Sequence, residues 1–96
     1  MSSLRLMVRA ELDLENAVAW YESRSPMAAR RFEISVVATL DRIARLPEMY
    51  ALMDGLHRVC PIRRSLYLVV YRYEAVIDEV VVIAVAHANQ DAPPWH

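Results

Sequence analysis

Four arginines between positions 58 and 72 are the side chains of this sequence best suited to act on an anion: Arg58, Arg63, Arg64 and Arg72. All eleven basic residues of the chain are arginine, which stays protonated and can clamp or stabilise negative charge but not exchange a proton. On one strand, Arg58 and Arg64 would share a face, and Arg63 would point away unless Pro61 introduces a bulge. The alternative is that these arginines are solvated or pair with an acidic partner.

His87 is the candidate for proton transfer, because the ordinary pKa of imidazole lies near neutrality. It ends the last predicted strand, where it serves either as a general acid or base or as a hydrogen-bonding anchor. We favour the anchor. His57 and His96 have no partner pattern, and the three histidines lack the close spacing of a zinc site. We therefore expect no metal and no cofactor.

The aromatic residues in the second half of the chain could likewise be either functional or structural. Tyr67, Tyr71 and Tyr73 fall on one face of a strand by period-two counting. Such a row could stack on RNA bases, but alternate aromatics in a strand more often form core or interface, which we favour here. Trp95 either packs the C-terminal tail onto the domain or contacts a target.

Length and composition predict one globular domain over residues 1–96. The chain is 56% hydrophobic with a single glycine, and so small a domain rarely covers that much apolar surface alone, so we expect a protein partner. The net charge of −1 does not suit general nucleic-acid binding. The lone Cys60 excludes an internal disulfide and is interpreted as a small buried hydrophobe.

The beginning of the chain shows no charged segment followed by an apolar one, so we expect no signal peptide. The longest apolar run, Val80–Ala86, is far too short to span a membrane. The sequence therefore predicts a cytoplasmic protein without membrane contact.

Hydrophobic periodicity predicts two consecutive helices. Apolar residues repeat at i, i+3, i+4 and i+7 from Leu14, which indicates a first helix over Asp13–Arg24. Ser25 and Pro26 are a preferred N-cap and first helical residue, so a second helix follows, from Pro26 to about Leu46.

Four strands surround this helical hairpin: Leu4–Arg9, His57–Ile62, Leu66–Tyr73 and Glu79–Ala86. Pro61 lacks an N–H and therefore predicts an edge position or a bulge. Asp54-Gly55 is the turn of the long loop, and Glu74–Asp78 is a hairpin turn. The order β-α-α-β-β-β predicts an α+β fold: an N-terminal strand, an antiparallel helical hairpin and a three-stranded antiparallel meander. The apolar last strand is expected to be covered on both faces, by the helices and by the tail or a partner.

Local patterns accompany this element order. The helices contribute three of them: Leu14, Ala17 and Tyr21 in the first helix; Ala28-Ala29-Arg30-Arg31-Phe32, close to "AA-x-RF"; and Leu46-Pro47 at the end of the second. The arginine-rich segment 58–67 is followed by Val69-Val70-Tyr71-Arg72, which is close to "Y-x-V-x-Y". The last pattern is Val85-Ala86-His87 with Asp91 and Trp95. In this order they resemble the RelE/ParE toxin superfamily of type II toxin–antitoxin systems, the plasmid-stabilisation type, over nearly the whole chain.

The resemblance is closer to ParE, which implies a toxin that inhibits DNA gyrase, needs no catalytic residue and is neutralised by a cognate antitoxin in a hetero-oligomer. Acidic antitoxin side chains would meet Arg58, Arg63 or Arg64, and Tyr71 and Trp95 complete the expected set of antitoxin or target contacts.

Two alternatives stay open. A RelE-like endoribonuclease would cut mRNA on the ribosome with Arg58, Arg64 and His87, and a non-toxic module would only hold an antitoxin. Two departures from the family pattern bear on this choice. Ser65-Leu66 stands where many relatives have Phe-Pro, and Asn89-Gln90-Asp91 lacks the arginine that usually precedes the aspartate. Since a C-terminal arginine supports activity in several RNA-cleaving members, its loss argues against the nuclease.

Overall fold

Two helices follow a short first strand in the computed structural model, which describes residues 1–89. The strand is β1 (Ser3–Leu6), and the helices are α1 (Val8–Glu22) and α2 (Pro26–Arg45). The predicted start of α2 is confirmed, because the Ser25 hydroxyl accepts a hydrogen bond from the Ala28 N–H at 3.0 Å and Pro26 occupies the first turn.

The predicted boundary between the first strand and the first helix is wrong. β1 ends at Leu6, not Arg9, and α1 begins at Val8, five residues before Asp13. Six residues of apolar–polar alternation cannot be told from a strand end and a first helical turn by periodicity alone. The structure shows that this segment contains the first helical turn, with Ala10 fully buried in the core and Val8 72% exposed.

Three further strands complete the sheet: β2 (Arg58–Pro61), β3 (Tyr67–Glu74) and β4 (Glu79–His87). They form the predicted antiparallel meander, and β1 joins it in parallel beside β4, so the mixed sheet has the order β1-β4-β3-β2. β2 is therefore an edge strand, as Pro61 predicted, and the missing N–H of that proline costs no ladder bond.

Both helices contribute to one core on a single face of the sheet. Val69 and Tyr71 of β3 and Val80 and Val82 of β4 lie in the same buried cluster as residues of the helices, which are Ala10, Ala17, Phe32, Val36 and Ile43. On the opposite face of β4, Val81 and Ala84 are also fully buried, which confirms the expected burial on both faces. The expected role of the C-terminal tail, Trp95 included, lies outside the described residues.

The β3–β4 hairpin turns without glycine. A 3-10 turn over Ala75–Ile77 leads to Asp78, whose backbone is left-handed with φ 50°. Aspartate tolerates this conformation better than most residues. The Asp78 carboxylate accepts hydrogen bonds from the Ser2 hydroxyl at 2.5 Å and the Tyr73 hydroxyl at 2.7 Å, and these bonds lower its pKa. The turn is thereby attached to the beginning of the chain.

A longer connection, the α2–β2 loop (residues 46–57), contains the predicted Asp54-Gly55 turn. Gly55 has φ 84°, a conformation that favours glycine. The Asp54 carboxylate accepts hydrogen bonds from the backbone N–H groups of His57 and Leu56, which hold its pKa well below the usual range. Within residues 1–89, neither helix combines the length and the apolar character that a membrane span needs.

Candidate functional site

Arg58, the first of the predicted site residues, lies on the helix-facing side of β2, opposite Tyr71 in the β2–β3 ladder. Its guanidinium donates hydrogen bonds to the carbonyl oxygens of Glu48 at 3.2 Å and Tyr50 at 2.5 Å. Both carbonyls belong to the α2–β2 loop. Arg58 is therefore half-buried, and its guanidinium fixes this loop against the sheet.

Tyr71 of β3 also fixes the α2–β2 loop. Its side chain is 0% exposed, and its hydroxyl donates a hydrogen bond to the Pro47 carbonyl oxygen at 2.8 Å. Burial raises the pKa of this hydroxyl to about 12, against an ordinary value of 10.0. Tyr67 and Tyr73 pack against the same core, so the expectation that the three tyrosines share a core face is confirmed.

Arg63 and Arg64 lie in the exposed β2–β3 loop, because β2 ends at Pro61. The even spacing of Arg58 and Arg64 therefore does not place them on one strand face, and that prediction is wrong. Arg64 has a left-handed backbone with φ 57°, which is uncommon for a long side chain.

Several hydrogen bonds hold the β2–β3 loop in this shape. The Ile62 N–H donates to the Tyr67 carbonyl at 3.0 Å, and the Ser65 hydroxyl donates to the Ile62 carbonyl at 2.8 Å. The Leu66 N–H donates to the Tyr21 hydroxyl of α1 at 3.2 Å. Arg63 and Arg64 thus project from an ordered loop that is attached to the helical layer.

His87 ends β4 opposite Tyr67, with the two ring centroids 5.3 Å apart in an edge-on arrangement. Its Nδ1 accepts a hydrogen bond from the Asn89 N–H at 3.1 Å, so the neutral ring carries its proton on Nε2. These contacts are those of an anchor. The ladder positions of Arg58 and His87 lie four residues apart along β3, roughly 13 Å, and the two side chains contact different parts of the protein.

The sheet face that points away from the helices carries two arginines, and each is paired. The Arg72 guanidinium lies 2.7 Å from the Glu74 carboxylate, and Arg5 lies 3.3 Å from Glu79. These partly exposed pairs add little to stability, but they cancel the positive charge of this face.

The α2–β2 loop exposes an unusual amount of apolar surface for a loop that is so well fixed. About half of each of five large side chains is open to solvent: Leu46, Met49, Leu52, Met53 and Leu56. Sequence reasoning placed the loop but did not recognise it as a surface, because only the structure shows that Arg58 and Tyr71 hold it.

Sequence reasoning also missed Arg31 as a neighbour of Arg64. These two arginines line a groove of about 600 Å³ together with Tyr21, Phe32 and Ile34. Arg31 and Arg64 are 33 positions apart in the sequence, so no local pattern could bring them together. Within residues 1–89, no group of three or more His, Cys, Asp or Glu side chains is arranged to hold a metal ion.

Comparison with solved structures finds the same fold in several proteins. The chain resembles the toxin–antitoxin structure of the chromosomal ParDE system from P. aeruginosa, with a TM-score of 0.75 and 16% identity over 91% of this chain and 96% of that one. It also resembles the RelBE2 complex of Mycobacterium tuberculosis (TM-score 0.61, 21% identity, 90% and 96% covered) and the E. coli RelBE complex (TM-score 0.65, 17% identity, 94% and 100% covered).

These identities establish a common fold alone. A search of curated proteins found no match. The family model described as "ParE toxin of type II toxin-antitoxin system, parDE" matches residues 4–92, nearly the whole chain. The chain therefore belongs to the ParE toxin family of type II toxin–antitoxin systems.

Proposed function

We propose that this protein is a toxin that inhibits DNA gyrase in the cytoplasm by binding to it, and that a cognate antitoxin neutralises it in a hetero-oligomer. The observation that carries the proposal is that the arginines on the strands of the sheet are already engaged within the protein. Arg58 bonds two loop carbonyls, and Arg5 and Arg72 pair with glutamates. A binding inhibitor has no need of a free cationic centre.

A ribonuclease needs catalytic side chains that converge on one phosphate, and the candidate side chains of this protein lie in different parts of the fold. A transition state for phosphodiester cleavage is stabilised by cations placed around one phosphate. Arg64 lies in the β2–β3 loop, Arg58 faces the helices, and the Nδ1 of His87 is already hydrogen-bonded. The RelE-like alternative is thus less well supported than inhibition by binding.

Binding to a large target is supported by the α2–β2 loop. Its five half-exposed apolar side chains lie on a backbone that Arg58 and Tyr71 fix, so little conformational entropy is lost when a partner covers them. We propose this loop as a gyrase contact, with Arg58 and Tyr71 acting by positioning it. Arg63 and Arg64 are proposed to meet the antitoxin.

The test is a supercoiling assay with purified gyrase and relaxed plasmid, beside an assay of mRNA cleavage on translating ribosomes. We expect the protein to stop supercoiling and to leave mRNA intact. The double variant Met49→Ser/Leu52→Ser should weaken inhibition, while Val76→Ser, which alters a fully exposed apolar side chain on the β3–β4 turn, should not.

Other outcomes identify the alternatives. Cleaved mRNA with unaffected gyrase would replace the proposal with ribonuclease action. Pulse-labelling after induction in bacteria provides the cellular counterpart, since gyrase inhibition stops DNA synthesis before protein synthesis. If neither synthesis changes and growth continues, the protein is a non-toxic module that only binds its antitoxin.

A further inference from the structure

Helix α2 carries two rows of regularly spaced residues, one toward the core and one toward solvent. The inner row is buried and contains Ala29, Phe32, Val36, Thr39 and Ile43. The outer row, called here the α2 seam, is exposed and consists of Met27, Arg30, Ile34, Val37 and Asp41. A surface helix needs only one apolar stripe to join its own domain, so the apolar residues of the second row indicate a contact with another molecule.

The α2 seam has the spacing of a coiled coil. Its residues follow one another in steps of three, four, three and four, which are the a and d positions of the heptad repeat. The two central side chains, Ile34 and Val37, are 62% and 69% exposed. From Met27 to Asp41 the seam runs roughly 21 Å along the helix. A second helix is therefore the element that fits this row.

A hollow in the middle of the α2 seam has the form of a coiled-coil hole. Its volume is about 340 Å³, and its walls are residues at positions i, i+3, i+4 and i+7, which are Arg30, Glu33, Ile34 and Val37. Four residues in this pattern form the hole that receives one side chain, the knob, from a facing helix. Because Ile34 and Val37 supply half of the wall, an apolar knob fits it.

The charges of the α2 seam make it complementary to itself. Arg30 lies four residues before Ile34, and Asp41 lies four residues after Val37. When two copies pack with their α2 helices antiparallel, Ile34 of each copy faces Val37 of the other. In the same arrangement Arg30 of each copy faces Asp41 of the other. A parallel pair would instead place like charges against each other, which is unfavourable, so the charge pattern selects the antiparallel pair.

Both charged side chains can make this contact. The Asp41 carboxylate accepts a hydrogen bond from the Arg45 Nε at 2.8 Å through its Oδ2, and the second oxygen of a carboxylate can accept from a further donor. Within residues 1–89, the Arg30 guanidinium has no hydrogen bond or ion pair. Arg30 of a second copy can therefore join Asp41 without displacing Arg45.

We propose that a second copy of this chain packs on the α2 seam, with the two α2 helices antiparallel about a two-fold axis. The knob in each hollow is Val37 of the other copy, and an Arg30–Asp41 pair closes each end of the central contact. A two-fold contact of this kind is complete with two copies. The proposal is independent of gyrase inhibition, because no residue of the α2 seam belongs to the α2–β2 loop.

Sedimentation equilibrium of the purified full-length protein measures the association. Since the seam is short, we expect a monomer–dimer equilibrium with a Kd on the order of 1–100 µM. Val37→Glu should raise this Kd at least roughly 10-fold, because it brings a second carboxylate to Glu33 in each hollow. The matched control is Val8→Glu at an exposed valine of α1, which should leave Kd within roughly twofold. Circular dichroism confirms that each variant is folded.

Exchanging the two charges tests both the occupant and the orientation. Arg30→Glu alone should raise the Kd roughly 10-fold, because it sets two carboxylates against each other at both ends. Arg30→Glu/Asp41→Arg should bring the Kd back to within roughly threefold of the unaltered protein, since each copy then carries the exchange that the other needs. Only a second copy in the antiparallel arrangement compensates in this way.

Three results would overturn the proposal. They are a protein that stays monomeric at about 500 µM, a dimer that is indifferent to Val37→Glu, and an exchange variant that associates no better than Arg30→Glu. If the protein is monomeric and Val37→Glu weakens its binding to the antitoxin or to gyrase, the α2 seam belongs to that partner and the dimer is likewise refuted. The supercoiling assay decides the proposed function separately from all of these results.

Discussion

The carboxylate of Asp13 accepts a hydrogen bond from the backbone N–H of Val85 at 3.0 Å, although the two residues are 72 positions apart. β1 ends at Leu6, opposite Val82, so the following part of β4 has no strand on that side. At Val85, the carboxylate of Asp13 in α1 provides the hydrogen-bond acceptor that a neighbouring strand would otherwise provide. Asp13, which sequence reasoning placed at the start of a helix, thus supplies an acceptor to one N–H of the inner strand β4.

Replacing Asp13 by alanine should destabilise the protein by about 1–3 kcal/mol, because the N–H of the buried Val85 loses its acceptor. Asp13→Asn retains an acceptor oxygen and should lose less. Chemical denaturation gives both values, and Glu15→Ala, an exposed carboxylate on the same helix, is the control. Equal stability of Asp13→Ala and the unaltered protein would show that this bond contributes nothing.

Arg58→Ala should loosen the α2–β2 loop and cost about 1–3 kcal/mol of unfolding free energy, since the carbonyls of Glu48 and Tyr50 lose their donor. Arg58→Lys keeps the charge without the planar fork and should recover part of this loss. Hydrogen exchange of the loop amides measures the loosening locally. A purely chemical role for Arg58 predicts lost toxicity with unchanged stability and exchange, which is the result that would contradict loop anchoring.

Tyr71 should make the protein sensitive to high pH. Its hydroxyl ionises near the ordinary value of 10.0 in the unfolded chain but at about 12 in the folded one, so the folded state favours the neutral form. The resulting stability is fully present below pH 10 and is lost as the pH rises from about 10 to about 12. Denaturation curves at pH 8 and at pH 11.5 should show this loss.

The control for this pH effect is Tyr71→Phe. It removes the bond to the Pro47 carbonyl and should cost about 1 kcal/mol at pH 8, yet the difference from the unaltered protein should shrink at pH 11.5. The chain contains no lysine, and arginine stays protonated, so no amine side chain titrates in this window. A difference that stays constant between the two pH values would refute the linkage.

Cys60 should be inert in the folded protein. Its thiol is 1% exposed, so reagents cannot easily reach it. Burial also raises its pKa, so little of the reactive thiolate form is present. A thiol reagent at pH 8 should react at least about 100-fold more slowly with the native chain than with the chain in guanidinium chloride. Cys60→Ala should keep toxicity, and rapid native labelling or lost toxicity would point to a role for the sulfur beyond packing.

The elements that the sequence predicted best are those with a local cause. The limits of α2 follow from the Ser25 cap, Pro26 in the first turn and Pro47 after its end, all of which act within a few residues. The strands β3 and β4 follow from their runs of valine and tyrosine. The start of α1 was mispredicted because the segment from Leu4 to Arg9 satisfies two local patterns, and burial of Ala10 decides between them.

The candidate site was predicted as a list of residues but not as an arrangement. Arg58 and Arg64 were expected on one strand face, yet a strand end at Pro61 separates them. The tight turn that follows gives Arg64 a left-handed backbone and brings it to Arg31, which the sequence had not singled out. The end of a short strand and the path of a loop depend on contacts with distant segments, here the bond between Leu66 and Tyr21.

By itself, the sequence determined the order of the elements, the expected need for a partner and the resemblance to a toxin family, because these rest on side-chain periodicity, capping residues and motifs within short stretches. Only the tertiary structure decided that β1 lies parallel to β4, that the Asp13 carboxylate accepts from the Val85 N–H, and that the Tyr71 hydroxyl bonds the α2–β2 loop. The physical reason is the same in each case. A long-range hydrogen bond forms when two distant segments fold against each other, and neither segment alone records its partner.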